Sequence, residues 1–276
     1  GVFIFYLIFF SALAILFAIC MKGMLLTIDE RRPTYLLDSS IIGSSPGLGF
    51  RPMTDISNPG ALIWYQAANE TNYMHWVRQL ESFLEPYKET HKLPGGGKNQ
   101  QLCDYDRTPD PGKVCAFDVK PLSPCTSEFG YGYNKSAPCV FIKLNKIYDW
   151  VADYYRTPKE LPEDMPLDLK EHINDIYLSN KTEQMNQIWV SCKGEHPADR
   201  QHIGPIKYYP GRGFPGYYYP YQNIDGYLSP LIAVMLERPE LNVHINIECR
   251  AWAKNIAYSN QDGHREGSVH FELMID

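Results

Sequence analysis

The chain has 276 residues, 44% of them hydrophobic, and 26 Lys and Arg stand against 32 Asp and Glu for a formal net charge of −6. That length accommodates one large or two small domains. The acidic balance, with no basic patch, argues against nucleic acid as a partner.

Residues 1–21 carry no charged side chain, and apolar character resumes after Lys22 through Met24, Leu25, Leu26 and Ile28. A hydrocarbon core about 30 Å thick takes roughly 20 apolar residues at about 1.5 Å each. Residues 1–28 are therefore predicted to be a transmembrane helix, with Lys22 reaching for the headgroups. A cleaved signal peptide fits less well, because its apolar stretch is about 7 to 15 residues and ends at a small-residue site, whereas this run is longer and ends in Cys20-Met21-Lys22. No later run approaches spanning length, which predicts a single pass. The opening on Gly1 rather than Met predicts a further segment ahead of the helix.

Within the span, Tyr6, Phe10, Leu13 and Phe17 recur at i, i+4, i+7 and i+11, with Phe9 beside them, while Ser11, Ala14 and Ala18 lie on another face. Lipid exerts no hydrophobic pull between helices, so a bulky ridge beside small residues favours packing on another span. The competing reading is that the rings merely face lipid.

Residues 29–60 open with Asp29, Glu30, Arg31 and Arg32 and continue rich in Pro, Ser and Gly to Pro59-Gly60, a membrane-proximal stalk. Residues 61–276 remain as the ectodomain. Between Thr71 and Glu85, Tyr73, Trp76, Val77, Leu80, Phe83 and Leu84 recur at three and four, predicting an amphipathic helix up to Pro86. Farther on the period becomes two. Val243, Ile245, Ile247, Cys249 and Ala251 alternate with polar residues, as do Val269, Phe271, Leu273 and Ile275, and Ile188, Val190 and Cys192 share the pattern. These read as half-buried strands, with 140–147 and 231–236 as further candidates. Strands without alternating helices point to an antiparallel, immunoglobulin-like β-sandwich with an inserted amphipathic helix.

Cys20 lies in the span and six cysteines follow it: Cys103, Cys115, Cys125, Cys139, Cys192 and Cys249. Cys192 and Cys249 each belong to the apolar set of their strand, so both should face one core as a bridge across two sheets. Six cysteines allow 15 pairings, and the sequential one is favoured, adding Cys103 with Cys115 and Cys125 with Cys139. Sequons stand at Asn69, Asn134 and Asn180, on the same side of the span as these cysteines. Together they predict an oxidising, glycosylated compartment and hence a type II orientation with the C-terminal part outside the cytosol.

Catalytic signals are weak. Gly43-Ser44-Ser45-Pro46-Gly47 matches a nucleophile elbow, yet the oxyanion hole needs the N–H of the residue after the nucleophile and Pro46 has none. Asp104-Tyr105-Asp106 matches the metal-holding D-x-D pair of type II lumenal glycosyltransferases, without the alternation of a nucleotide-binding sheet. The eight histidines show no metal spacing, and Gly95-Gly96-Gly97-Lys98 lacks a phosphate loop's flanking residues. Between Tyr208 and Tyr227, Tyr218, Tyr219 and Tyr221 head a run of tyrosines interleaved with Pro and Gly, a composition suited to recognition or to covering a sandwich edge.

Several segments together resemble the β subunit of the K⁺-exchanging P-type ATPases, the sodium pump and its gastric proton-pump relative. They are Met24 to Tyr35, Ser45-Pro46-Gly47-Leu48, Tyr131-Gly132-Tyr133 leading to Pro138-Cys139, Ile142 to Ile147, Tyr218-Tyr219-Pro220-Tyr221 and the six-cysteine spacing. The chain departs from that pattern at Thr126-Ser127 and Gln222-Asn223. The resemblance implies a non-catalytic subunit without cofactor in the plasma membrane, its C-terminus extracellular. It would escort the ATP-hydrolysing α subunit through folding and delivery and modulate K⁺ affinity. Its implied partners are that α subunit, membrane lipid and a small single-span regulatory subunit, with Tyr6, Phe9 and Phe10 packing on an α-subunit span. A sugar-transferring enzyme and a glycan-dependent adhesion ectodomain are the other readings.

Overall fold

The computed structural model describes residues 1–29, 31–53, 61–261 and 264–276. Glu30 and residues 54–60 of the expected stalk, Pro59-Gly60 included, lie outside that set. Among the described residues the α-helices are α1 (Val2–Leu26), α2 (Glu70–Lys88), α3 (Leu167–Leu178) and α4 (Pro197–His202). The strands begin with β1 (Leu48–Arg51), β2 (Leu62–Tyr65), β3 (Gln100–Gln101), β4 (Val114–Cys115) and β5 (Cys139–Leu144). Then come β6 (Gln187–Gly194), β7 (Ile206–Tyr209), β8 (Gly213–Pro215) and β9 (Leu231–Leu236). The last are β10 (Ile245–Trp252), β11 (Ser259–Gln261), β12 (His264–Glu266) and β13 (Ser268–Ile275).

Two sheets face each other. One has the order β1-β5-β9-β7 and the other β2-β13-β10-β6-β8. Phe50 on β1 stacks on Phe271 of β13 with ring centroids 5.2 Å apart, and Ile142, Val234, Ile247 and Leu273 fill the core with no exposed surface. The sheet begins earlier than the expected domain boundary: Leu48 to Arg51, within the segment read as stalk, pair in register with Leu144 to Phe141. The pairing is also not wholly antiparallel, because β2 runs parallel to β13 along Glu272↔Leu62 to Ile275↔Tyr65.

Helices cover both outer faces. Along α2, Trp76, Val77, Leu80, Leu84 and Tyr87 are buried at helical spacing, and burial of Val77, Leu80 and Leu84 contributes about 1.5 to 3 kcal/mol each. Phe83 packs toward Phe141 of β5, and the Trp76 indole N–H donates to the Trp64 carbonyl on β2 at 2.9 Å. The helix continues through Pro86 to Lys88 instead of stopping before it. Proline removes one backbone donor near the end, while Tyr87, one residue on, is buried and donates its hydroxyl to the Ser229 carbonyl at 2.9 Å.

On the other face, Leu169 and Ile173 of α3 join Trp189, Trp252, Met165, Met185 and Tyr155 in a second apolar cluster. β6 is consequently buried at every residue but Lys193. The expectation of half-buried strands therefore fails for β6 and for the C-terminal half of β10, because α3 removes the solvent from their second face.

The uncovered part of the same face carries charge. Glu195 accepts from the Arg265 guanidinium at 2.8 Å and pairs with His270 Nδ1 at 2.6 Å, while Glu272 lies 2.8 Å from His244 Nε2 and 3.3 Å from His270 Nε2. Burial alone would raise the pKa of Glu195, but Arg265 and His270 outweigh it and hold the carboxyl below its ordinary 4.5. The two histidines do the same for Glu272 against its own burial. A carboxylate depressed in the folded state stabilises above its unfolded pKa, and that contribution disappears as pH falls through the folded value. Ectodomain stability is thus expected to fall as the medium is acidified below about pH 4.5. In Glu195→Gln the acid limb of a plot of melting temperature against pH should be shallower, and an unchanged limb would remove Glu195 from the effect.

Candidate partner-binding surfaces

α1 has 25 residues, none buried in the protein, and carries no charged side chain before Lys22. At about 1.5 Å per residue it is about 37 Å long, enough to cross a bilayer core. Tyr6 and Phe10 stack with centroids 6.1 Å apart, Phe5 and Phe9 form a parallel ladder at 6.2 Å, and Phe9 meets Phe10 edge-on at 5.5 Å. Sequence reading missed Phe5, although its i, i+4 relation to Phe9 was the available sign. Tyr6 and Phe10 also border a shallow groove with Phe3, Leu7, Ser11 and Ala14. Ser11 donates its hydroxyl to the Leu7 carbonyl at 2.7 Å, so the groove floor presents no unmet donor.

The tyrosine-rich segment divides into interior and surface rings. Tyr218 is only 8% exposed and donates its hydroxyl to the Ala116 carbonyl at 3.1 Å. Tyr219 packs edge-on against Trp150 at 5.9 Å, and burial pushes its hydroxyl pKa well up. The ring of Tyr218 is thus spent inside this chain, whereas Tyr219, like Tyr221, is only partly buried. Tyr221 is half-buried and stays at the surface, where its ring lies 4.9 Å from that of Tyr227. The Lys146 ammonium sits over both rings at 4.9 and 5.1 Å, its pKa lowered by burial and by Lys143. Gln222 donates to Asp149 at 2.8 Å, and Asn223 donates to the Arg31 carbonyl at 3.3 Å, tying this loop to the chain just beyond the span. Tyr218→Phe is expected to lower ectodomain stability by about 1 kcal/mol through the lost hydrogen bond. Thermal melts should show it, with recovery of any bound partner unchanged.

The cysteines beyond the span pair as Cys103 with Cys115, Cys125 with Cys139 and Cys192 with Cys249. The last pair does not cross between sheets. Cys249 stands opposite Cys192 on adjacent strands β10 and β6 of one sheet, with Cα atoms 4.0 Å apart. Period-two alternation puts both side chains on one face but leaves open which strand is the neighbour. Asn69, Asn134 and Asn180 are all exposed, and Thr71 of the first sequon donates its hydroxyl to the Asn69 side-chain oxygen at 2.7 Å.

The motifs with catalytic spacing have structural partners. The Ser45 hydroxyl accepts from the Ala257 N–H at 2.9 Å, and Asp104 closes a tight turn with Arg107, each N–H donating to the other's carbonyl at 3.0 Å. Among the described residues, no group of three or more His, Cys, Asp and Glu could hold a metal ion.

A family profile described as "Sodium / potassium ATPase beta chain" matches residues 1–271. This chain belongs to the sodium/potassium ATPase β chain family. It is 51% identical over 274 residues to the sodium/potassium-transporting ATPase subunit beta-2 of Drosophila melanogaster, covering 99% of this chain and 84% of that one. Subunit beta-1 of the same organism is 40% identical over 273 residues, again with 99% and 84% covered. The human subunit beta-2 is 27% identical over 289 residues, covering 99% of this chain and 85% of its own length. Membership of the β chain family accounts for an apolar helix and a mainly-β ectodomain in one chain, and its named members are subunits, not catalytic chains.

Proposed function

We propose that this chain is the non-catalytic β subunit of a sodium/potassium-transporting ATPase, needed for folding, delivery and K⁺ affinity of the catalytic α subunit. The observation that carries it is the family match over residues 1–271, which joins the span and the sandwich in one unit. In this reading α1 crosses the plasma membrane once and the C-terminal ectodomain is extracellular. The sheet pairing of β1 supports a short stalk over 29–47 and an ectodomain from 48 onward. Asn69, Asn134 and Asn180 carry the glycans. Tyr6, Phe9 and Phe10 pack on an α-subunit span, and Tyr221 marks a second contact above it. Lipid surrounds the rest of α1, and a small single-span regulatory subunit is a further partner.

Detergent extraction and affinity capture of the tagged chain test this. A large P-type ATPase subunit should co-purify in about equal amount, and the captured complex should hydrolyse ATP in a K⁺-dependent way. Recovery of the chain alone, or turnover of a sugar donor by the purified chain, would overturn the assignment.

A further inference from the structure

Between the span and the first strand, Ser40 to Gly43 form a tight turn. The Gly43 N–H donates to the Ser40 carbonyl at 3.1 Å, and the Ile42 N–H donates to the Ser40 hydroxyl at 3.3 Å. Gly43 has a φ of +78°, a conformation for which glycine carries no steric penalty. Turns usually give their two corners to Gly, Pro, Asn, Asp or Ser. Here the corners hold Ile41, 105% exposed, and Ile42, 79% exposed.

The chain around this tip is held in place. The Ser39 hydroxyl accepts from the Leu36 N–H at 3.0 Å and donates to the Leu36 carbonyl at 2.7 Å, fixing the turn before it. Leu37 packs against the sandwich core. The apolar corners therefore point away from a supported base. Ile41 is 15 positions beyond Leu26, where α1 ends, and the connection is tied at Arg31 to Asn223. The tip thus belongs to the end of the ectodomain that the span enters.

We propose that Ile41 and Ile42 insert into the headgroup and acyl boundary of the leaflet on the ectodomain side, giving the sandwich a second hold on the bilayer beside α1. The occupant is lipid, a phosphatidylcholine-type interface, because both ends of the segment that carries the tip are held at the end of the sandwich that α1 enters, at Arg31 to Asn223 and at Gly47 to Asn145. The neighbouring side chains have interfacial composition: Tyr35 is exposed, and Arg31 and Arg32 bring guanidinium groups that suit phosphate. A docked protein strand or helix would meet only two adjacent corner residues, whereas a fluid interface accepts an isolated apolar tip. The inference rests on the reading that α1 spans a membrane.

The test is photolabelling in membranes of cells that make the full-length protein and are loaded with diazirine-bearing phosphatidylcholine. Adducts are mapped by mass spectrometry to the span and to residues 32–50 separately. Adducts are expected at Ile41 and Ile42 as well as along α1, and in an Ile41→Gln, Ile42→Gln variant, which creates no sequon, the tip adducts should fall about tenfold with those on the span unchanged. Labelled span with an unlabelled tip overturns the proposal and leaves the membrane reading standing. If the span too is unlabelled, the membrane reading itself fails and the proposal falls with it.

Discussion

Replacing Cys192 and Cys249 together by alanine is expected to lower ectodomain stability by about 2 to 5 kcal/mol. The bridge joins the neighbouring strands β6 and β10 and closes a segment of 57 residues. That segment contains β7 and β9 of the four-stranded sheet and β8 of the five-stranded one, so the cross-link restrains chain that must reach both layers. Cys103 with Cys115 closes only 12 residues, Cys125 with Cys139 only 14, and the chain-entropy contribution rises with the logarithm of loop length. The alanine pair at 192 and 249 should therefore be the most damaging of the three. Both sulfurs lie in well-packed surroundings, Cys249 with no exposed surface, so the double variant also leaves a void. For a domain of this size about 1 kcal/mol moves the melting temperature by roughly 2 to 4 °C. A fall on the order of 5 to 15 °C under non-reducing conditions is the expected reading. A melt indistinguishable from the parent would show that the packing between β6 and β10 holds their register without the bond.

The reason that this pair was misplaced between sheets while its strands were read correctly is geometric. Alternation fixes the face of a side chain, and β9 runs from Leu231 to Leu236 as the apolar run predicts, with β10 and β13 displaced by no more than two residues. Alternation is silent on neighbours. Nothing in the local pattern pairs β10 with β6 across the 57 residues between Cys192 and Cys249, nor β13 with the far more distant β2, which is too short to announce its parallel pairing.

α3 is not legible in the sequence because only Leu169 and Ile173 of its 12 residues are buried, a stripe too thin to stand out among Asp168, Lys170, Glu171 and Asp175. Pro86 predicts a stop because proline normally is one, and the burial of Tyr87 overrides it. The candidate surfaces followed the same division. The ring-bearing face of α1 was legible because helical spacing alone sets which residues share a face. Which tyrosines of the Pro-rich segment lie inside was not, because that depends on Ala116 and Trp150, far away in sequence.

Substituting Tyr6, Phe9 and Phe10 together by leucine is expected to reduce recovery of the α subunit with this chain about tenfold or more, a tenfold change corresponding to about 1.4 kcal/mol. Leucine inserts into a bilayer at least as well as the aromatic residues it replaces and favours the helix, so α1 should still span. What changes is shape. Tyr6 stacks on Phe10 and Phe9 meets Phe10 edge-on, forming a stiff ridge beside the groove floored by Ser11 and Ala14. Between spans the driving force is close packing, not exclusion from water, and each aromatic contact adds about 0.5 to 1.5 kcal/mol through its geometry. Leucine keeps the apolar surface and discards that geometry. The ectodomain melt should be unaltered, because none of the α1 residues is buried against the sandwich. Co-purification in detergent, quantified against an epitope on each chain, reads the effect. A triple variant that recovers α at the parental ratio would mean the rings face lipid, and would leave the loop around Tyr221 to hold the partner. Fewer molecules in the membrane, with the ratio to α preserved, would instead assign the rings to insertion.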